Sequence, residues 1–91
     1  VKQVFCVRDR KAQLFDSPFF DVHKAQAMRA FDAACKNKDS KFALHPDDWE
    51  LCYMGSFEES SGKFKLLEFP EILAQPRDYI AGGPVQVVSS N

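Results

Sequence analysis

The residues of this chain that offer recognisable chemistry are cations and aromatic rings, and they gather in its first half. Arg8, Arg10 and Lys11 fall in one charged run. Phe19 and Phe20 stand side by side, and Arg29 and Lys36 follow on a helical stretch. Such a set suits nucleic acid, because guanidinium forks and ammonium groups meet phosphate oxygens while exposed rings stack on unpaired bases. Arg8, Arg10, Lys11, Arg29, Lys36, Phe19 and Phe20 are therefore the candidate nucleic-acid contacts. Each has a plainer reading. Phe19 and Phe20 suit core aromatics at a helix entry, one of them packing as a staple on the first turn. Arg29 suits a solvent-facing charge or a salt bridge to Asp32 or a neighbouring strand.

Catalytic patterns are missing from the sequence. There is no phosphate-binding glycine loop, no G-x-S-x-G and no H-E-x-x-H. His23 and His45 are the only histidines. Asp47-Asp48 and Glu58-Glu59 sit in turns, where paired carboxylates are normally solvated, and Ser17 and His23 lack a third partner. The expectation is a protein that is not an enzyme and holds no metal or cofactor. Cys6, Cys35 and Cys52 are widely spaced with no C-x-x-C, which argues for reduced, buried thiols and a reducing, cytoplasmic compartment.

Net charge is −1, but residues 1–45 hold nine Lys/Arg against five Asp/Glu, and residues 46–91 hold three against eight. This bipolar distribution suits an anionic partner at the basic end or head-to-tail self-association. It falls short of the large positive excess of a strong nonspecific nucleic-acid binder.

These groups must be positioned by a small fold. Asp21 to Lys38 carries Ala27, Met28, Phe31, Ala34 and Cys35 as one apolar stripe at helical period, with Lys24, Arg29, Asp32 and Lys36 on the other side. Asp21 is the expected N-cap and Asn37 suits a left-handed exit. Lys2–Val7 is apolar on both faces, as in a central strand. Ala12–Phe15 returns as its hairpin partner, and Pro18 breaks the pattern. Asp39–Asp48 reads as a loop with Phe42 and Leu44 plugged into the core. Trp49–Phe57 alternates, placing Trp49, Leu51, Tyr53, Gly55 and Phe57 on one face and Glu50, Cys52, Met54 and Ser56 on the other, with Gly55 marking a bulge or close backbone approach. Glu58–Gly62 is a hairpin loop, Lys63–Phe69 the return strand with Phe64 and Leu66 on one face, and Pro70 the end of the regular part.

The expected fold class is α+β. It is one small domain over residues 1–69, an antiparallel sheet of about four strands in β-β-α-β-β order covered by one amphipathic helix. Residues 70–91 form a C-terminal extension. Its Val85-Gln86-Val87-Val88 segment can add a strand to its own sheet or a neighbour's, or trail as an extended tail. A sheet with a single covering helix leaves a face or an edge under-protected, so a homodimer is expected. No apolar run approaches the ~20 residues of a membrane span, and the chain turns charged at Lys2, without a leader pattern.

Several short motifs recur in a known order: Pro18-Phe19-Phe20, Ala27-x-Arg29-Ala30-Phe31, Phe42-x-x-His45-Pro46-x-Asp48-x-x-Leu51, Gly55-x-Phe57 and Gly62-Lys63-Phe64. In these the chain resembles the small nonstructural protein of gokushoviruses, single-stranded DNA phages of the Microviridae, over about residues 4–69. The resemblance implies an accessory protein in the host bacterial cytoplasm, acting in viral single-stranded DNA synthesis or packaging. Its partners would be single-stranded DNA, or phage replication or capsid proteins. It brings no catalytic residues and says nothing of the tail. The alternative is a protein-interaction module or capsid-assembly factor that recruits phage or host proteins without touching DNA.

Overall fold

A computed structural model describes residues 1–80 of the 91-residue chain; the Val85–Val88 segment lies outside the described residues. Strand β1 (Lys2–Asp9) is the centre of an antiparallel sheet. Its whole length pairs on one side with β4 (Trp49–Glu58). The other side is shared by β2 (Leu14–Phe15), opposite Asp9 and Arg8, and β3 (Phe19–Asp21), opposite Gln3 to Phe5. Strand β5 (Lys63–Ala74) pairs with β4 and forms the edge. Helix α1 (Lys24–Lys36), a short α2 (Lys41–Leu44) and a 3-10 turn (Pro76–Asp78) complete the fold. This is the expected α+β class, an antiparallel sheet with one main helix.

The helix packs by its apolar stripe. Ala27, Phe31 and Cys35 are buried with Phe5, Leu51 and Ala74 in one cluster, against which Met28, Phe19 and Tyr53 also pack. Its start differs from expectation. Asp21 is the last residue of β3, held extended by pairing with Gln3, and its carboxylate accepts the Val22 N–H at 2.9 Å. His23 takes the N-cap position without a side-chain bond, and Asn37 leaves the helix at φ −75°, ψ 114° rather than in the left-handed region. Within the expected loop, Ser40 caps α2 by accepting the Ala43 N–H at 3.2 Å. Phe42 does reach the core, edge-on to Phe31 at 5.1 Å between ring centres. Leu44 does not; it is exposed at the last position of α2, where a four-residue helix presents only one side to the core.

Strand β4 is interrupted at Met54. Phe5 pairs with Tyr53 but Val4 pairs with Gly55, so Met54 is an extra residue. Directly opposed residues share a sheet face, and one extra residue exchanges the faces beyond it. Leu51 and Tyr53 therefore face the helix, whereas Gly55 and Phe57 face away. The simple alternation expected for this strand fails there. On β5, Leu67 to Pro70 stand opposite that single residue, between the pairs Tyr53–Glu71 and Gly55–Leu66. Pro70 is tolerated because it lies in this bulge on an edge strand. The strand does not stop there: it continues to Ala74, which is buried in the core.

Candidate functional site

The register divides the predicted contacts between two surfaces. Lys2, Val4, Cys6 and Arg8 of β1 alternate onto the face away from the helix, and their partners Phe15, Phe20, Glu50, Cys52, Gly55 and Phe57 share it. Phe64, Leu66 and Ile72 of β5 extend it to the edge. No helix covers this face among the described residues.

Three rings meet on it. Phe57 and Phe64 lie 4.8 Å apart between centres, and Phe20 lies 5.6 Å from Phe57 and 6.3 Å from Phe64. The face is exposed in part: Phe15 is 44% exposed, Phe20 43%, Phe64 51%, Leu66 62% and Ile72 56%, while Val4, Cys6, Glu50 and Cys52 on it are buried. Lys2 sits in the same cross-strand row as Phe57 and Phe64, and is exposed. The Arg8 guanidinium lies over the Phe15 ring at 5.8 Å. Phe20 thus belongs to an exposed cluster. Its neighbour Phe19 stacks on Phe5 at 5.6 Å on the helix side, within the core.

The cations differ in how they are held. Glu50 is buried, at 4% exposure, and receives Arg8 Nη1 at 3.2 Å and Arg10 Nε at 3.7 Å. Arg10 also donates through Nη1 to the Asp47 carbonyl at 2.8 Å. A buried carboxylate requires such partners, so these two arginines have a structural task. Lys11 lies exposed in the turn after β1, whose shape is set by the Asp9 carboxylate accepting the Lys11 and Ala12 N–H groups, each at 3.0 Å. Arg29 is exposed on α1, on the other side of the sheet from the ring cluster. Lys36 is also on α1 and pairs with Asp32 at 3.0 Å. The structure therefore brings Arg8, Arg10 and Lys11 to one end of β1, leaves Phe20 further along the same face, and sets Arg29 and Lys36 apart.

Other charges are locally matched. Arg77 reaches the two Asp47 carboxylate oxygens at 2.6 and 3.2 Å, and this pairing holds the Asp47 carboxyl below the ordinary carboxylate range. The Ser17 N–H, followed by Lys41, does the same for Asp16. Lys24 meets Glu71 at 3.1 Å and lies 4.3 Å from the Tyr53 ring centre. All three cysteines are free and buried. Burial, with smaller contributions from nearby carboxylates, pushes the Cys35 and Cys52 thiols up to about 11. Among the described residues no group of three or more His, Cys, Asp or Glu is placed to hold a metal ion, and no helix is long and apolar enough to cross a membrane.

Sequence reasoning missed Phe15, Phe57, Phe64 and Lys2 as members of this face. The signal for Phe57 was Gly55: a bulge there exchanges the faces of everything that follows.

Fold and site together define a small sheet-and-helix domain with one face packed under the helix and, on the other, exposed rings bordering a buried centre of Val4, Cys6, Glu50 and Cys52. Residues 2–79 match the model of the Phage ORF5 protein family, and the chain belongs to that family. The match reaches past Pro70 through the end of β5 and the 3-10 turn. No curated protein and no solved structure matches the chain.

Proposed function

We propose that this phage protein is a non-enzymatic accessory factor that binds single-stranded DNA on the open face of its sheet. It would serve viral single-stranded DNA synthesis or packaging in the cytoplasm of the host bacterium, as the gokushovirus resemblance implies. The observation that carries the reading is the cluster of Phe20, Phe57 and Phe64 on a solvent-facing sheet surface. Unpaired bases stack on such rings whatever their sequence, and a duplex, whose bases are already stacked, gains nothing from them. Lys2 lies in the same row and Arg8 on the same face, with Lys11 beyond the end of β1, in positions to meet the phosphates. With a net charge of −1, stacking must contribute a large share of the affinity, and the salt slope should be shallow.

Fluorescence anisotropy of labelled single- and double-stranded DNA across a salt series tests this. Single strands should be preferred. Phe20→Ala and Phe64→Ala should each weaken binding by about 1–3 kcal/mol, the worth of one stacked base. Lys11→Glu should weaken it too, while Arg29→Glu and Lys36→Glu, on the helix side, should have little effect. No binding at low salt would overturn the reading.

A second reading is a protein-interaction module or capsid-assembly factor that recruits phage or host proteins. Its support is that Arg8 and Arg10 are committed to Glu50, while much of the exposed apolar surface is aliphatic, from Leu66, Leu67 and Ile72, which stack no bases. Under it, Leu66→Ser would abolish partner binding and Phe20→Ala would leave DNA unaffected.

A further inference from the structure

Strand β5 is the sheet's edge, and among the described residues nothing pairs with its outer side. It is long, and its apolar side chains are turned out: Phe64, Leu66, Leu67, Phe69 and Ile72 are all exposed, Phe69 by 77%. A free edge of this kind is a template for another strand. Proteins that keep an edge unpaired usually shorten it, bulge it, or place Pro or charge along it. Here a bulge with Pro70 interrupts the strand between Leu66 and Glu71, and the charges are sorted along it. Lys63 and Lys65 occupy the first part of the strand, and Glu68 and Glu71 the later part.

This ordering chooses the occupant. When a strand pairs antiparallel with a copy of itself about a two-fold axis, the start of each lies beside the end of the other. The lysines of one copy then meet the glutamates of its partner, twice. A parallel neighbour in register would set lysine against lysine and glutamate against glutamate, and opposite charges across strands stabilise where like charges repel. We infer that β5 is a homodimer edge, with two copies of this chain joined antiparallel about an axis near Leu67, so that Lys63 of each copy stands opposite Glu71 of the other on either side of the bulge.

The symmetry has a further consequence. An antiparallel edge-to-edge pair requires a two-fold axis perpendicular to the sheet, and such an axis keeps each face on its own side. The Phe20, Phe57 and Phe64 clusters of both copies would lie on the same surface, near the join, because Phe64 is itself on β5. The dimer does not depend on the DNA reading, but if that reading holds, dimerisation doubles the platform.

Charge exchange at the edge tests the proposal. K63E/K65E makes these four positions all acidic, and E68K/E71K makes them all basic. By sedimentation equilibrium, the native chain should be dimeric at ~100 µM, a concentration that populates any association with a micromolar Kd. Each variant alone should be monomeric, and their equimolar mixture should form a one-to-one dimer. Recovery in the mixture itself shows that both variants fold. L67K, which puts two like charges near the axis, should weaken self-association at least about tenfold, or 1.4 kcal/mol. A native chain that is monomeric at that concentration, or variants that still dimerise alone, would overturn the inference. Failure of dimerisation with DNA binding intact would leave the aromatic face standing.

Discussion

Gly55 of β4 lies so close to the Lys65 carbonyl of β5 that no side chain fits between them: a Cβ there would overlap that oxygen and stand 2.7 Å from the Leu66 Cα. Its φ of +143° is open only to glycine at no steric cost. The obstruction is backbone, which cannot swing aside. Gly55→Ala should therefore destabilise the domain by about 3 kcal/mol or more, since backbone strain and overpacking act together. Urea denaturation measures it. Gly62→Ala is the control. That glycine also has a positive φ, of 73°, but its Cβ would meet nothing, so about 1 kcal/mol is expected.

The same residue marks where the sequence could be read and where it could not. The apolar stripe Ala27, Phe31, Cys35 was legible because one helix against one sheet leaves a period of 3.6, and the two-sided apolar run of β1 announced a central strand. Gly55 signalled an irregularity in β4. What it did not convey was the number of extra residues on each strand, which depends on the partner's register. That number decides whether Phe57 joins the core or the open face. Asp21 failed as a cap for a related reason: pairing with Gln3 outweighed a local preference. The candidate contacts were legible as residue types, but their arrangement was not. No local pattern told that Arg8 and Arg10 converge on Glu50, some forty residues away in sequence.

That convergence makes a second prediction. Glu50 keeps its buried carboxylate because Arg8 and Arg10 stand beside it. Arg8→Ala should cost about 1–3 kcal/mol of stability, the cost of leaving a buried polar group short of a partner. Glu50→Gln should cost a similar amount by weakening two charge-assisted contacts. Lys11→Glu, three residues on and exposed, should stay within about 0.5 kcal/mol. Thermal unfolding of the three variants checks the order, and Lys11 is accordingly the cleaner probe of phosphate contact.

Acid should act in part through Asp47. Arg77 lowers its carboxyl pKa in the folded chain. A lowered folded pKa means that the pair contributes above the ordinary aspartate range and is lost as pH falls through the depressed value, because the unfolded chain then binds the proton more readily. Asp47 and Arg77 are both exposed, so salt should weaken the contribution. Carboxyl titration by NMR should place Asp47 below a free aspartate, and Arg77→Ala should return it towards the ordinary range.

The thiols should respond in the opposite direction. Burial is the main cause of the raised values, about 11 for Cys35 and Cys52, and it raises Cys6 as well. Thiolate is the reactive form, so alkylation of the native chain at neutral pH should be slow and should become fast for all three cysteines in denaturant. The folded thiols hold their protons where unfolded ones release them, so stability should decline as pH rises from the ordinary thiol range towards the folded values. Cys6 and Cys52 stand directly opposite each other on β1 and β4. Iodoacetamide labelling followed by mass analysis, with and without denaturant, separates burial from disulfide formation: buried free thiols give three modifications in denaturant without reductant, whereas a Cys6–Cys52 bond gives one. Three is the expected count.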